Sequence, residues 1–508
     1  MSFPILSVIL FAPIAGAAAI TFLPTTAGSS IKKVSAAAMG ISFLLSLLVF
    51  FGYNWQTGGM QFVESLAWLP EMGAAYSLGV DGLSAPMVLL TALIGFAGVF
   101  ASWRVEERPK EFFILFLLLV AGVAGTFVAR DLFLFLLCYE VVVIPIYIMI
   151  ILWGSSKRVT KEYAAMKLTI YLLLGSAFLL AGILMLYLNA YPAGARTFSM
   201  EALTQAAAGG ALSPEFQKFA FFFVMLGFGS LLSMWPFHSW SPDGYAGAPT
   251  AVSMVHAGVL KKIGGYGLIR IGLLMLPLGF KFWAPLIAAF GVANVAYAAF
   301  IALVQKDMKY VVGYSSVSHM GYVLIGIAAA DVIGINGAVA NMFAHGVMSA
   351  LFFAMIGHIY HATHTRHIPD LGGLAHQMPR ATVGFFLAGM ASLGLPGLIS
   401  FVPEFTIFVG SFKAYPLFAV LAIAGIILTA LYVLRVLADV LFGPRRNEWD
   451  KVHDLHGVDW VPLVTLGAFL VGFGLFPSLL MNVVNSGIEP LTPLLAKIKL
   501  AATLWGGL

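Results

Sequence analysis

Residues 227–240 read GFGSLLSMWPFHSW, and this stretch contains the two features that decide the fold. It begins as an apolar run of the kind that crosses a membrane as a helix, and Pro236 then interrupts it. A proline inside a helix removes a backbone hydrogen bond, and its ring clashes with the preceding turn. Unpaired backbone groups at membrane depth are tolerated only where protein or an aqueous path surrounds them. The stretch therefore predicts a broken membrane helix, with His238 directly after the break.

The same apolar character extends over the whole chain. Of the 508 residues, 61% are hydrophobic and 10% are charged, and the mean hydropathy is +0.97. Continuous apolar runs of roughly 18 to 25 residues, each long enough to span a bilayer as a helix, recur about 14 times. They do not alternate polar and apolar residues, which argues against a transmembrane β-barrel. We expect an all-α polytopic protein with one membrane domain, residues 1–508, whose end, 483–508, forms an amphipathic tail.

A second interruption lies in the twelfth run. Residues 393–405 read LGLPGLISFVPEF, and Pro396, Gly397 and Pro403 cannot continue a regular helix. Breaks five spans apart, in helices 7 and 12, indicate two inverted five-helix repeats, helices 4–8 (about 111–275) and helices 9–13 (about 279–443). The alternative is a pair of unrelated proline kinks.

Charge placement predicts the orientation. The chain has 27 lysines and arginines against 22 acidic residues. The basic residues concentrate in loops after odd-numbered spans, for example Lys32, Arg104 and Arg446. By the positive-inside rule these loops are cytoplasmic, so both termini face the other side. The net positive charge reflects this topology, and we expect no nucleic-acid partner.

Ionisable side chains inside the spans are the candidate functional residues. Such groups are costly at membrane depth and normally pair with each other or line a pathway. No two of them have the spacing of metal ligands, and no nucleotide-binding loop is present. The pattern is typical of a proton relay in which neighbouring groups shift one another's protonation. The spans concerned carry Glu140, Lys261, Lys262, His319, His345 and Glu404.

Each candidate also has a purely structural interpretation. Glu140 can be a neutral, hydrogen-bonded acid that holds helices together, and the histidines can be satisfied core residues. Lys261 and Lys262 are adjacent and diverge by about 100° around a helix, so they cannot both face one partner. Cys138 is the single cysteine in the sequence. One cysteine excludes an intrachain disulfide and a cysteine-ligated iron–sulfur cluster, so any redox chemistry belongs to another chain.

Several motifs resemble chain M of the proton-pumping NADH-quinone oxidoreductase, bacterial respiratory complex I. They are CYEVVVIPIYIMIILWG, WPFHSWSPDGYAGAPTAVSMVHAGVLKKIGGYGLIRI, QKDMKYVVGYSSVSHMGYVLIG, AHGVMSALFF, HTRHIPDLGGL and LPGLISFVPEFTIFVGSF. The resemblance implies an antiporter-like fold of 14 helices in a bacterial inner membrane, with both termini periplasmic. It also implies contacts with chain L and chain N homologues. This chain would hold no cofactor, and NADH, FMN, iron–sulfur clusters and quinone would bind partner subunits.

The resemblance also implies roles for individual residues. Glu140 corresponds to the essential glutamate of the fifth helix and Lys262 to the lysine of the eighth. His319 and His345 correspond to the histidines of the central axis. Glu404 is similar to the terminal ionisable residue of the broken twelfth helix. His238 is a candidate for proton uptake from the cytoplasmic side.

One position departs from the family pattern. A lysine normally stands five residues before the proline of the PxH motif and pairs with the fifth-helix glutamate, whereas this chain has Leu231. Three explanations are open. Lys261 supplies the missing cation beside Glu140, which we favour; water held by Ser230 and Ser233 links Glu140 to Lys262; or the chain does not pump in the standard way.

Two functions from different classes compete with the complex I interpretation. The Glu, Lys and PxH elements also occur in subunits of multisubunit cation/proton antiporters and of membrane-bound hydrogenases, so the relay alone does not separate these machines. A purely structural membrane subunit gains support from Leu231. It loses support because the costly ionisable residues are all present.

Overall fold

The computed structural model describes residues 3–155 and 158–503. Polar caps and prolines set the helix ends: the Asp131 carboxylate accepts hydrogen bonds from the first turn of one helix, and Thr160 caps the next. The helices of the first half are α1 (Ile5–Thr21), α2 (Gly28–Gly52), α3 (Ser84–Ala101), α4 (Pro109–Val128), α5 (Leu132–Trp153), α6 (Lys161–Asn189), α7 (Met200–Ala208), α8 (Pro214–Leu232) and α9 (Trp240–Gly247).

The eighth span is a continuous helix of mixed type. It consists of α10 (Thr250–Val255), a π-helical turn (His256–Leu260), α11 (Lys261–Gly267) and a second π-helical turn (Leu268–Leu273). The remaining helices are α12 (Pro277–Val304), α13 (Met308–Ala328), α14 (Val332–Thr363), α15 (Pro379–Ser392), α16 (Phe401–Ala414), α17 (Pro416–Leu441), α18 (Trp460–Leu475), α19 (Ser478–Ile488) and α20 (Thr492–Thr503).

The predicted count of membrane spans is confirmed. Within the described residues, 11 helices are long and apolar enough to cross a membrane. Three further crossings are the shorter α1, the mixed helix from α10 to Leu273, and α15 with α16 on either side of a break. The tail begins with α19. The side chains of Lys497 and Lys499, and residues 504–508, lie outside the described residues, so the amphipathic tail stays a prediction.

A small β-hairpin and a short surface helix were not foreseen from the sequence. Strands β1 (Gln61–Leu69) and β2 (Ala74–Val80) pair antiparallel, with Gln61 opposite Val80. The Glu64 carboxylate accepts hydrogen bonds from the backbone of Leu6, at 2.7 Å, and of Ser7, at 3.0 Å, and so ties the hairpin to the start of α1. The surface helix, α7, packs beside it, because Phe198 donates a backbone hydrogen bond to Gly73. We call this end of the bundle the hairpin face.

The opposite end, which we call the basic face, carries the loops rich in lysine and arginine. Arg104, after α3, pairs with Asp459 at the start of α18. Arg366, after α14, pairs with Asp307 at 2.7 Å. Helix α1 begins on the hairpin face, and α19 also lies there, because Asn336 donates to Asn485 at 2.7 Å. The described ends of the chain therefore share the less basic face, as the charge pattern predicts.

The bundle contains two inverted units of five spans. The first begins with α4 on the basic face, whereas the second begins with α12 on the hairpin face. Each second helix of a unit starts at an aspartate that bridges to the loop before the broken helix: Asp131 pairs with Ser199, and Asp307 with His367. The repeated cap and bridge support the predicted repeat. Its limits at 111–275 and 279–443 remain predictions.

Both predicted breaks are present. Helix α8 ends at Leu232, Ser233 adopts a left-handed conformation with φ of 64°, and α9 resumes at Trp240. The buried Asn294 side chain of α12 forms hydrogen bonds with the backbone groups that the first break leaves free. It donates to the Ser233 carbonyl at 3.0 Å and accepts from the Trp235 amide at 2.7 Å. In the second break, Gly394 and Gly397 have φ of 65° and 90°, which glycine adopts without steric cost.

Candidate functional site

The site begins on the mixed helix, where the two π-helical turns flank the adjacent lysines. A π-helical turn inside an α-helix is rare and is often found at functional sites. The Lys262 ammonium lies 2.8 Å from Nδ1 of His345 on α14, and it also donates to the Ala257 carbonyl. Lys262 and His345 are buried, at 0% and 1% exposure. This contact joins the eighth and eleventh spans.

A second histidine continues the row. The rings of His345 and His319 are 5.4 Å apart between centroids, which is close enough for one water molecule to connect them. His319 Nδ1 lies 3.2 Å from a Glu404 carboxylate oxygen, although without the alignment of a hydrogen bond. On its other side, His319 Nε2 lies 3.1 Å from the Ser392 hydroxyl. These contacts connect α11, α14, α13 and α16 through titratable groups.

The second helix break gives Glu404 its place. The carboxylate lies in the first turn of α16, and the backbone before it turns sharply at Gly394. A Cβ atom at Gly394 would lie 2.8 Å from Oε2 of Glu404, so only glycine leaves the carboxylate this room. The other carboxylate oxygen faces His319 and has no hydrogen-bond partner among the described residues. The break thus exposes one carboxylate edge to the relay.

Lys261 points away from this row. Its ammonium donates to Ser241 on α9 and to Ser316 on α13, each at 3.2 Å, and lies 5.2 Å above the Tyr245 ring. The adjacent lysines therefore face different partners, as their angular separation predicts. The favoured explanation for Leu231 was wrong, because Lys261 makes no ion pair with Glu140.

Glu140 is separate from the relay. It is half-buried on α5 and makes no hydrogen bond or ion pair with any residue that the structure describes. Its neighbours Leu137, Val141 and Ile144 are 44%, 44% and 65% exposed, so it lies at the edge of an outward-facing surface. Leu231 occupies the position of the family's lysine and is 2% exposed. Apolar packing, and not another cation, therefore fills this place.

His238 follows the first break but does not touch the relay. It is 7% exposed, its ring packs edge-on against Tyr297 at 5.1 Å, and its Nδ1 has no partner among the described residues. Tyr297 is 46% exposed, so this histidine lies near the outer surface of the bundle. Its role in proton uptake stays a prediction.

The sequence analysis did not predict the partners of several other ionic groups. Lys167 on α6 pairs with Asp243 on α9 at 2.7 Å, and Arg270 pairs with Asp81 at 2.5 Å. Lys309, at 3% exposure, donates to the Ala248 carbonyl at 2.6 Å. Lys309 is the second residue of α13, where a charged residue is ordinary, so its burial could not be read from the motif QKDMKY.

Chemically, the arrangement is suited to proton transfer. Amine, imidazole and carboxylate groups follow one another at short range in a site from which bulk water is excluded. Lys261 and Lys262 have no carboxylate within ion-pair distance in the part of the chain that the structure describes. A buried cation without a counter-ion is costly, so both lysines are unusual for a purely structural helix. Among the described residues, no group of three or more histidine, cysteine or acidic side chains is arranged to hold a metal ion.

Comparison with known proteins supports this interpretation. Residues 129–429, more than half of the chain, match the family model described as NADH:quinone oxidoreductase/Mrp antiporter, TM. NAD(P)H-quinone oxidoreductase chain 4 from Thermosynechococcus vestitus is 37% identical over 94% of this chain and 90% of its own length. The protein of the same name from Gloeobacter violaceus is 35% identical over 96% and 93%. The chain belongs to the NADH:quinone oxidoreductase/Mrp antiporter family. The resemblance to the chain M subunit, which corresponds to chain 4, is thereby confirmed.

Solved structures agree with the family assignment. A chain of respiratory complex I from Thermus thermophilus superposes with a TM-score of 0.87 at 28% identity, over 98% of this chain and 99% of that one. A chain of the Mrp complex from Dietzia sp. gives 0.83 at 21% identity, over 98% and 99%. A chain of an archaeal membrane-bound sulfane sulfur reductase gives 0.84 at 22%, over 99% and 84%. The last two likenesses concern the fold alone. The chain 4 family therefore has the antiporter-like fold predicted from the sequence.

Proposed function

We propose that this chain is a proton-translocating membrane-arm subunit of an NADH:quinone oxidoreductase. The observation that supports this proposal is the unbroken row of Lys262, His345, His319 and Glu404. Adjacent members approach to 2.8 Å and 3.2 Å at its two ends, with ring centroids 5.4 Å apart between the histidines. Each of these groups can accept and release a proton, and all four are buried within the bundle.

In the proposed mechanism, a proton moves along the row one group at a time. The Lys262 ammonium releases its proton to His345, which passes one to His319, and Glu404 accepts it. Adjacent charges in a buried site repel strongly, so a proton added at one end favours release at the other. Glu404 stands beside unwound backbone, which provides a way out of the helix bundle. Quinone reduction elsewhere in the complex would drive the cycle by changing the charge that Lys262 experiences.

The assembly follows from the same proposal. The chain holds no cofactor itself, and NADH, FMN, iron–sulfur clusters and quinone bind partner subunits. Its neighbours in the membrane arm are the chain L and chain N homologues. The outward-facing edge of α5 with the unpaired Glu140 supports a subunit contact, because a carboxylate at membrane depth needs a partner. The chain resides in a bacterial inner membrane, with its basic face toward the cytoplasm and its termini periplasmic.

The alternative is a subunit of a cation/proton antiporter or a membrane-bound hydrogenase. The Mrp chain shares the fold, but its 21% identity supports nothing beyond the fold. The curated relatives at 35% and 37% identity favour the oxidoreductase. Genes for flavin and quinone-site subunits next to the gene for this chain would also support the oxidoreductase. A small cluster of antiporter genes there would contradict it.

The decisive experiment removes Lys262. In inverted membrane vesicles that contain the whole complex, Lys262→Ala should lower NADH-driven proton uptake by about tenfold or more, the range typical of a lost proton-transfer group. Lys413→Ala, which removes an exposed lysine at the hairpin face, is the matched control and should pump like the parent. Equal pumping by Lys262→Ala and Lys413→Ala, in vesicles with equal amounts of assembled complex, would overturn the proposal.

A further inference from the structure

A cavity of about 310 Å³ opens at the basic face. It lies between the loop after α3, the start of α10, the end of α14 and the start of α18. Its lining includes Arg104, Lys309, His358, His361 and Asp459. We call it the basic-face crevice. None of these residues belongs to the relay.

The mouth of the crevice is a cluster of titratable groups around one carboxylate. Asp459 pairs with Arg104, and its carboxylate also lies 3.5 Å from His456 and 4.0 Å from His358. Arg104 in turn approaches His361 at 3.4 Å. Nε2 of His358 is buried and has no hydrogen-bond partner among the described residues, so this nitrogen is free to bind water or a proton. The cluster therefore places several groups that can hold a proton at the opening of the crevice.

The inner end of the crevice is the buried side chain of Lys309. Lys309 lines the cavity, and its ammonium donates to the Ala248 carbonyl at 2.6 Å and to the Ser253 hydroxyl at 3.3 Å. No carboxylate lies within ion-pair distance of this ammonium among the described side chains.

Unpartnered polar atoms connect Lys309 with Lys261. The Ser253 hydroxyl donates to the Tyr245 carbonyl at 2.9 Å. The Tyr245 ring lies 5.2 Å from the Lys261 ammonium and 5.9 Å from the His256 ring. The Tyr245 hydroxyl and both ring nitrogens of His256 are buried without a partner in the described part of the chain. Buried polar atoms are almost always hydrogen-bonded, so these three atoms leave unmet hydrogen-bonding capacity beside Lys261.

We propose that the basic-face crevice is the route by which protons enter this subunit, with His358 as the acceptor at its mouth and Lys309 as the carrier to Lys261. The proposal rests on the proton-translocating function proposed above. The neutral Lys309 amine binds one proton from the crevice and later releases one toward Lys261, so protons balance and no oxidant or reductant is needed. It also gives Lys261 a role that its lack of contact with Glu140 left open.

The test uses the whole complex in inverted vesicles, whose outer surface is the basic face. Lys309→Met should lower NADH-driven proton uptake by about tenfold or more, and His358→Ala by a few-fold. Added imidazole, a diffusible proton carrier, should restore uptake in His358→Ala but not in Lys309→Met. Rescue that depends on the proton affinity of the added base, compared among imidazole and methylimidazoles of similar size, distinguishes proton transfer from restored packing.

Matched controls are nearby. Lys306→Met removes an exposed lysine three residues away, and His376→Ala removes an exposed histidine on the same face, and both should pump like the parent. Normal uptake in Lys309→Met and His358→Ala, together with loss in Lys262→Ala, would overturn the crevice and leave the proposed function standing. Normal uptake in Lys262→Ala would overturn the function itself. If Lys309→Met does not assemble, the imidazole response of His358→Ala decides, and its absence counts against the proposal.

Discussion

The two helix breaks serve different ends. At the first, between α8 and α9, the neutral Asn294 side chain satisfies the free backbone groups, and Leu231 fills the position of the family's lysine. At the second, between α15 and α16, glycines turn the chain and Glu404 faces His319. The same interruption of an apolar run can therefore be closed by packing or left open for chemistry. The side chains around the break decide which.

The largest difference between the breaks should follow from Glu404→Gln. The amide keeps the shape of the side chain but does not bind and release a proton in the neutral pH range. Proton uptake should therefore fall by about tenfold or more. Thermal unfolding of the complex should change little. Glu448→Gln, on an exposed loop of the basic face, is the control. Wild-type proton uptake by Glu404→Gln would mean that the second break, like the first, takes no part in proton transfer.

Leu231→Lys puts a charge back at the first break. Leu231 is 2% exposed, so a lysine there would bury its ammonium group, and the substitution should destabilise the subunit by about 3 kcal/mol. Leu231→Met keeps the packing and should be near neutral. The measurement is the thermal unfolding midpoint of the purified complex. An unchanged midpoint with Leu231→Lys would show that Glu140 reaches the new lysine after all.

The smallest of these effects concerns Asn294→Ala. Loss of the amide leaves the Trp235 amide and the Ser233 carbonyl without partners, which should cost about 2 kcal/mol. Proton uptake per assembled complex should be kept. Asn447→Ala, on an exposed loop, provides the comparison for the unfolding midpoint. A large loss of uptake at normal stability would instead place the first break on the proton path.

Much of this architecture was predictable from the sequence. Apolar run length gives the 14 spans, and proline and glycine locate both breaks, because bilayer thickness and helix geometry leave few alternatives. The relay residues were also foreseeable, since ionisable groups in apolar runs are conspicuous. The partners were not, because a pairing such as Lys261 with Ser241 and Ser316 depends on how distant helices pack. The favoured Lys261–Glu140 pair failed for that reason.

Other features lacked a clear signal or had one that was passed over. The hairpin of β1 and β2 lies between two spans, and its turn, Pro70 to Gly73, is a recognisable mark of paired strands. Asn294 resembles any polar residue inside a helix until the break that it satisfies is seen beside it. Lys309 and Asp243 stand close to span ends, where charged residues are ordinary.

The two π-helical turns of the eighth span have a consequence for how the sequence can change. Each such turn holds one residue more than an α-turn, and the helix faces before and after it stay aligned. A residue lost within His256–Leu260 or Leu268–Leu273 would therefore convert that turn to an α-turn without rotating the rest of the helix. Lys261 and Lys262 lie between these two turns. The directions of these side chains toward Ser316 and His345 would therefore be kept if the helix lost a residue in either turn. In a regular α-helix, the same loss would rotate one part of the helix relative to the other.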